Sequence, residues 1–326
     1  MADSKIVGIG NALVDIIAVL DNVDIISKIG LAVGGMTLVD GQLSATIQSE
    51  IKGQQTKLAT GGSVANAINA VANLNVSSGF LGAIGNDELG KLFEQEMKEH
   101  GIDCLLNHNT LPTGRAVCLV APDGERTMAT YLGAAVEMGS DDVTPEKLAG
   151  YDIFFIEGYL AFNHALILAA ASVAKTAGLT IALDLASYTV IEANREVLNE
   201  LVDNYVDIVF ANEEEAISFT GLRPEAALCN LASRCDIAVV KVGKEGAFVR
   251  QGNRQYHIPS MGKLVIDTTG AGDFFAGGFL AGLAKGYDLE KCGRLGALLA
   301  GKIIGTVGAS LSTEEWAQLR AEEQKL

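Results

Sequence analysis

An α/β fold, with a mostly parallel central sheet flanked by helices and a small β-sheet lid beside it, is what this sequence predicts. Three observations predict it. Short apolar, β-branched runs recur along the chain. Helical patterns lie between them. Two stretches, about 13–40 and 112–132, break that rhythm with extended, glycine-punctuated sequence.

In chain order the runs are KIVGIG (5–10), YDIFFIEG (151–158), TIALDLA (180–186), VDIVFAN (206–212) and DIAVVKVG (236–243). They show little alternation, as strands buried on both faces do. HALILAAASVAKTAG (164–178) and PEAALCNLASRC (224–235) read as the helices between them. Strand alternating with helix argues a parallel sheet covered on both sides. Within 114–132, two strand-like runs flank Pro122-Asp123-Gly124, the pattern of a β-hairpin. This hairpin and the 13–40 stretch are read as the lid of a single domain spanning 1–326. A length of 326 residues, 49% hydrophobic, suits one large core with a smaller appended piece. With 37 glycines and only 6% aromatics, helices can pack closely on that sheet.

Composition narrows the function. A formal charge of −16 lacks the basic footprint that nucleic acid demands, so an anion must be bound locally, by backbone amides or a few lysines. The five cysteines form no CxxC pair and the four histidines no HExxH, which argues against zinc and for reduced thiols. MADSKIVGIG enters a strand with no basic-then-apolar leader, so a cytoplasmic location is expected. Leu58 to Asn86 is uncharged, but asparagine, serine and glycine interrupt it throughout, so no membrane span is expected there.

The richest stretch is DTTGAGDFFAGGFLAGL, 267–283. A helix starting here offers free N–H groups and the positive end of its dipole. Gly270, Ala271 and Gly272 let an anion reach those amides. Asp273 stands in the first turn, placed to take a proton from an attacking hydroxyl. The combination suits phosphoryl transfer; the plain alternative is a strand-to-helix turn with an acidic first turn.

Three further stretches point the same way. In TGGSVANAINAVANL (60–74), Gly61 and Gly62 leave bare backbone before a helix. Ser63 reads as its N-cap, and Asn66 can meet a hydroxyl. GNALVDI (10–16) ends the first strand, where ligands of open α/β sheets bind, so Asn11 and Asp15 are candidates for polyol hydroxyls. FANEEEA (210–216) ends another strand, and Asn212 with Glu215 suits a hydrated Mg²⁺ as well as an ordinary acidic helix start. GALLAGKI (296–303) imitates a Walker A spacing but ends in Ile303 within an apolar helical run, so it reads as core. GIGNAL lacks the third glycine of a dinucleotide fingerprint.

These stretches, in this order, resemble the ribokinase-like (PfkB) family of carbohydrate and nucleoside kinases over nearly the whole chain. DTTGAGD with its small-residue helix is similar to that family's C-terminal signature, and GGSVANAINAVANLNVSSGFLGAIGNDELG (61–90) to its N-terminal one. GGS at 61–63, GNALVDI and YVDIVFANEEEA bring the likeness nearest to adenosine kinases. The resemblance implies a Rossmann-like central sheet with a β lid, and ATP with Mg²⁺. It implies Asp273 as catalytic base and Gly270, Ala271 and Gly272 as anion hole. Asn11, Asp15, Gly61, Gly62, Ser63 and Asn66 then line the sugar site. Asn212 and Glu215 match an NxxE motif tied to Mg²⁺ and phosphate. Lys241, Gly243 and Gly246 lie by the nucleotide. Asp267 and Thr269 match positions that often bind a monovalent cation such as K⁺. One departure is Lys241-Val242-Gly243 where the family often has Thr-x-Gly. The acceptor implied is adenosine, with a ribokinase- or fructokinase-like sugar acceptor, or a ligand-binding protein without catalysis, as alternatives. A sugar phosphate would need a basic clamp, for which the first half offers few candidates beyond Arg115 and Arg126. Family members pair through their lids or stay monomeric, and either state is compatible with the sequence.

Overall fold

The computed structural model describes residues 4–31, 35–122, 126–262 and 264–326. The chain forms β1 (Ile6–Ile9), then leaves the central sheet for β2 (Leu13–Val19), α1 (Asp24–Lys28), β3 (Met36–Leu38), α2 (Gly41–Glu50) and β4 (Gln55–Gly61). It returns through α3 (Ser63–Asn73), β5 (Ser78–Gly85), α4 (Glu88–Glu99) and β6 (Asp103–Asn109). A second excursion makes β7 (Gly114–Val120) and β8 (Arg126–Tyr131). After α5 (Pro145–Leu148) come β9 (Ile153–Glu157), α6 (His164–Thr176), β10 (Thr180–Asp184), α7 (Tyr188–Ala193) and α8 (Arg195–Asn204). Then follow β11 (Ile208–Asn212), α9 (Glu213–Thr220), α10 (Pro224–Leu231), β12 (Ile237–Lys241), β13 (Ala247–Gln251) and β14 (Arg254–Ile258). Helices α11 (Ala271–Ala284), α12 (Leu289–Ile303) and α13 (Thr313–Glu323) come last.

The central sheet has the order β14-β13-β12-β11-β10-β9-β1-β5-β6. It is parallel except for the β12-β13-β14 edge. Residues of one strand feed two cores. Ile6, Phe155, Phe210 and Val239 pack on one face with α3, α11 and α12. Val7, Ile156, Val209 and Val240 pack on the other with α6, α8 and α10. Burial on both faces is why these strands read as unbroken apolar runs. GALLAGKI lies within α12, as its pattern predicts.

The small residues of α11 set its depth. A Cβ on Gly277 would stand 2.6 Å from the Ala67 carbonyl of α3, and one on Gly278 2.9 Å from the Leu295 carbonyl of α12. Backbone-close packing of α11 on α3 follows, and it brings the first turns of both helices together. Among the described residues, no helix is long and apolar enough to cross a membrane.

The second sheet has the order β3-β8-β7-β2-β4. The antiparallel pairing of β7 with β8 agrees with the expected hairpin. Asp123 and Gly124 of its turn lie outside the described residues, as does Gly34 of the 13–40 stretch. β4 comes from outside both expected stretches. Its sequence QTKLATG is polar and largely exposed at an edge, so it carries little apolar signal. Ile16, Ala18, Val117, Leu119 and Ala129 on one face pack with Ile26 of α1 and Ile47 of α2. The opposite face carries Asp15 in a cross-strand row with Ala59, Ala116, Thr130 and Leu38. A second row runs Lys57, Ile17, Cys118, Met128, Met36. This face looks toward the larger domain: Lys57 Nζ donates to Ser310 Oγ at 3.3 Å.

Candidate active site

Neighbouring parallel strands of the central sheet end in polar side chains. Across the sheet these are Lys241 on β12, Asn212 on β11, Asp184 on β10 and Glu157 on β9, with Asn11 just beyond β1. The strand order reverses direction between β1 and β9, since β5 lies on one side of β1 and β9 on the other. Such switch points open a crevice at the carboxyl ends of the strands, where ligands bind.

The GAGD turn stands over this row. Gly270 caps α11 with φ +76°, and a Cβ there would be 2.8 Å from that of Ala309, so only glycine fits. The Ala271 N–H donates to the Thr268 carbonyl at 3.2 Å and is already engaged. Among the described residues, no acceptor meets the N–H groups of Gly272 and Asp273. Among the described residues the Gly270 N–H likewise meets no acceptor, so of Gly270, Ala271 and Gly272 only Ala271 is engaged, and Asp273 adds a further free donor.

Asp273 is held from α3, whose Asn66 Nδ2 donates to its Oδ2 at 2.9 Å. Burial pushes the Asp273 carboxyl up to about 7; Asp184 and Glu157 add to that, while Asn66 and Lys241 oppose it. A carboxyl poised there switches between proton acceptor and donor near neutral pH, as a general base requires.

On the other side of Asn66 lies the double glycine. A Cβ on Gly61 would stand 2.3 Å from Asp15 Oδ1, and one on Gly62 2.2 Å from the Asn11 carbonyl. Both glycines are therefore needed to seat Asn11 and Asp15 against the start of α3. The N-cap is Gly62, at φ +101°, and Ser63 is the first helical residue, so the expected Ser63 cap is corrected. The Ser63 Oγ is buried with no hydrogen-bond partner among the described residues. Asn11 is committed inward: its Nδ2 and backbone N–H donate to Glu157 at 2.6 and 3.1 Å. Among the described residues no donor meets the Asp15 carboxylate, and burial pushes it up to about 7. Of the candidates for hydroxyl recognition, Asp15 is the one with both oxygens open.

Asn212 and Glu215 form a capping box. The Asn212 side chain accepts the Glu215 N–H at 2.9 Å, and Glu215 accepts the Asn212 N–H and Nδ2 at 2.7 and 2.6 Å. Buried in this way, Glu215 is pushed up to about 7, with Asp184 adding and Lys241 opposing. The side-chain oxygens of Asn212 and Glu215 are engaged within this box, and among the described residues no cluster of three acidic, histidine or cysteine side chains could hold a metal ion, so a Mg²⁺ near this pair would be met through water. Gly243 and Gly246 make the turn into β13; a Cβ on Gly243 meets nothing within 4 Å, whereas on Gly246 it would strike the Ile258 carbonyl.

Asp267 and Thr269, the expected cation ligands, receive an arginine. Arg126 Nη1, from β8 of the second sheet, lies 2.6 Å from Asp267 Oδ2 and 3.1 Å from Thr269 Oγ1. Asp267 also accepts from the N–H groups of Gly308 and Thr269, at 2.6 and 3.0 Å. With its oxygens so occupied and a fixed positive charge at hand, this pair does not fit a monovalent cation. Arg115 points to the other face of its sheet, where Nε donates to Ser44 Oγ at 2.8 Å. Neither arginine is thus free to clamp a phosphorylated acceptor.

Sequence reasoning passed over Glu157 and Asp184. Both lie inside runs read as strands, and the available signal was an acid at a strand's carboxyl end. The pfkB family carbohydrate kinase pattern matches residues 25–316. The chain is similar to a probable sugar kinase protein from Rhizobium etli CFN 42, with 33% identity, a TM-score of 0.89 and 99% of each chain covered. It is similar to the adenosine kinase from Sinorhizobium meliloti, with 33% identity, a TM-score of 0.88, and 98% of this chain and 100% of that chain covered. A ribokinase from Arabidopsis thaliana is 29% identical over 269 residues, 76% of this chain and 68% of its own length. With its strand-end crevice, its GAGD turn and this match, the chain belongs to the pfkB family of carbohydrate kinases.

Proposed function

We propose that this kinase transfers the γ-phosphoryl group of ATP to the primary hydroxyl of a nucleoside, converting adenosine to AMP. The observation that carries the transfer is Asp273. It is half-buried, pushed up to about 7 by desolvation, and held by Asn66 in the first turn of α11 beside the free amides of Gly272 and Asp273. Asp273 takes the proton of the 5′-hydroxyl, the hydroxyl oxygen bonds to the γ-phosphorus, and the bond to the ADP oxygen breaks. The amides meet the charge that builds on the phosphoryl oxygens. Mg²⁺, near Asn212 and Glu215, would neutralise the phosphate chain. Lys241, Gly243 and Gly246 border the nucleotide.

The acceptor's ribose lies against Asp15, Gly61 and Gly62, under the second sheet as a lid that excludes water. Two observations support a nucleoside. The inward face of the second sheet is apolar around Asp15, and Met36 and Leu38 on it are exposed, a wall suited to a flat base. Arg115 and Arg126 are both engaged within the protein, which disfavours a sugar phosphate. The likeness to a ribokinase favours a free sugar as the second reading. ADP release from ATP-Mg²⁺ with adenosine, inosine, ribose and fructose tests both. A signal with adenosine that Asp273→Asn abolishes is the expected result. Turnover with ribose or fructose alone would replace the nucleoside while keeping the mechanism.

A further inference from the structure

Lys241 ends β12, opposite Asn212 of β11. Its ammonium reaches past the end of β11 and donates to Asp184 Oδ2 on β10 at 3.0 Å. Both side chains are only about 15% exposed. Asp184 is itself fixed, because its Oδ1 accepts the Ala186 N–H at 2.8 Å in a tight turn where Ala186 has φ +67°. On its other side the ammonium lies over the GAGD turn: a Cβ on Gly272 would stand 3.1 Å from Nζ. Burial works against the charge, but Asp184 and Glu215 outweigh it and hold the lysine proton above its ordinary affinity.

A buried ammonium has three N–H donors, and among the described residues Asp184 is its one hydrogen-bond acceptor. An ion pair serving stability alone would not need its cation set against the free amides of an anion site. We propose that Asp184 is a positioning residue that holds the Lys241 ammonium at the Gly272–Asp273 amides, where it is a fixed counter-charge for the phosphoryl group in flight. The inference rests on the phosphoryl transfer proposed above and adds a role for Asp184 and a transition-state role for Lys241. The scaffold sets this cation before substrate arrives, so no side chain must be ordered at the moment of reaction.

The test is steady-state kinetics across pH, with calorimetric titration of Mg²⁺-AMP-PNP, on Lys241→Met, Asp184→Asn, the double variant and Asp273→Asn. The double variant removes both charges together and so avoids leaving one buried and unpaired. Loss of the lysine is expected to lower kcat about 100-fold, as loss of one transition-state donor does. AMP-PNP affinity falls about tenfold, while the KM for the acceptor stays near wild type. Asp184→Asn lowers kcat with a smaller loss of AMP-PNP affinity, because the ammonium remains but is no longer held.

The pH profile separates positioning from mere stability. The groups bearing on Asp273 are Asn66 of α3, Glu157 of β9, Asp184 of β10 and Lys241 of β12. The active base is lost as pH falls through its affinity near 7. Removing the lysine moves that limb to higher pH, and removing the Asp184 charge moves it lower. Double-variant kcat and AMP-PNP affinity within threefold of wild type would overturn the proposal. Wild-type silence on every acceptor would instead sink the functional reading, and the AMP-PNP titrations would still decide whether Lys241 meets phosphate.

Discussion

Two partly buried ion pairs flank the GAGD turn, and they are built differently. Lys241 and Asp184 belong to strands of one sheet, separated only by β11. Their spacing is set by the strand spacing of a core packed on both faces. Arg126 and Asp267 belong to different layers: the arginine stands on the second sheet and the aspartate on the loop before α11. That pair closes only when the second sheet lies down on the larger domain. The same division runs through the site. Asp273, Asn66, Asp184 and Lys241 come from the rigid framework, whereas Asp15 and Arg126 ride on the second sheet. Framework residues should govern the chemical step, and second-sheet residues should govern capture of the acceptor.

Four measurements sharpen or break this contrast. Asp273→Asn should have the largest effect, a fall in kcat of about 10³-fold or more with AMP-PNP binding little changed. Near-normal turnover would remove the framework from the chemistry. Asp15→Ala should act on the other axis. It deletes a charged acceptor of hydroxyl hydrogen bonds, so the acceptor KM should rise about 10- to 100-fold while ATP binding is kept. A pure kcat effect would show that the second sheet does more than capture.

Arg126→Met should be milder, about tenfold, and should change kcat and the acceptor KM together, as weakened closure does. Because Asp267 also accepts from Gly308 and Thr269, the protein should still fold. A kcat effect with no change in the acceptor KM would place Arg126 with the framework. The smallest effect is expected from exchanging K⁺ for Na⁺ or choline: under about twofold, since the arginine already supplies the charge at Asp267. A strong K⁺ requirement would mean that Arg126 leaves Asp267 during turnover.

Much of this was legible in the sequence. Strand runs such as YDIFFIEG and VDIVFAN announced a doubly covered sheet, because burial on both faces leaves no alternation. GAGD and GGS announced bare backbone at helix starts, since only glycine and alanine permit it. The edge strand β4 escaped notice because QTKLATG buries little. The Ser63 cap was misread because serine is favoured at that position, whereas close approach of the Asn11 carbonyl required glycine there instead. Arg126 was weighed as a clamp for the acceptor, and its partner lies 141 residues away in sequence, as Asp267.

By itself the sequence determined the elements, the two glycine turns and the acid that follows the second, because periodicity and steric permission are local properties. Only the tertiary structure decided which charges meet. Glu157, Asp184, Asn212 and Lys241 are separated by long stretches of chain and become neighbours because their strands lie side by side. The pairing of Arg126 with Asp267 arises because the second sheet folds over the GAGD turn. Charge pairing depends on distance in space, and in a parallel sheet that distance is set by strand order rather than by separation along the chain.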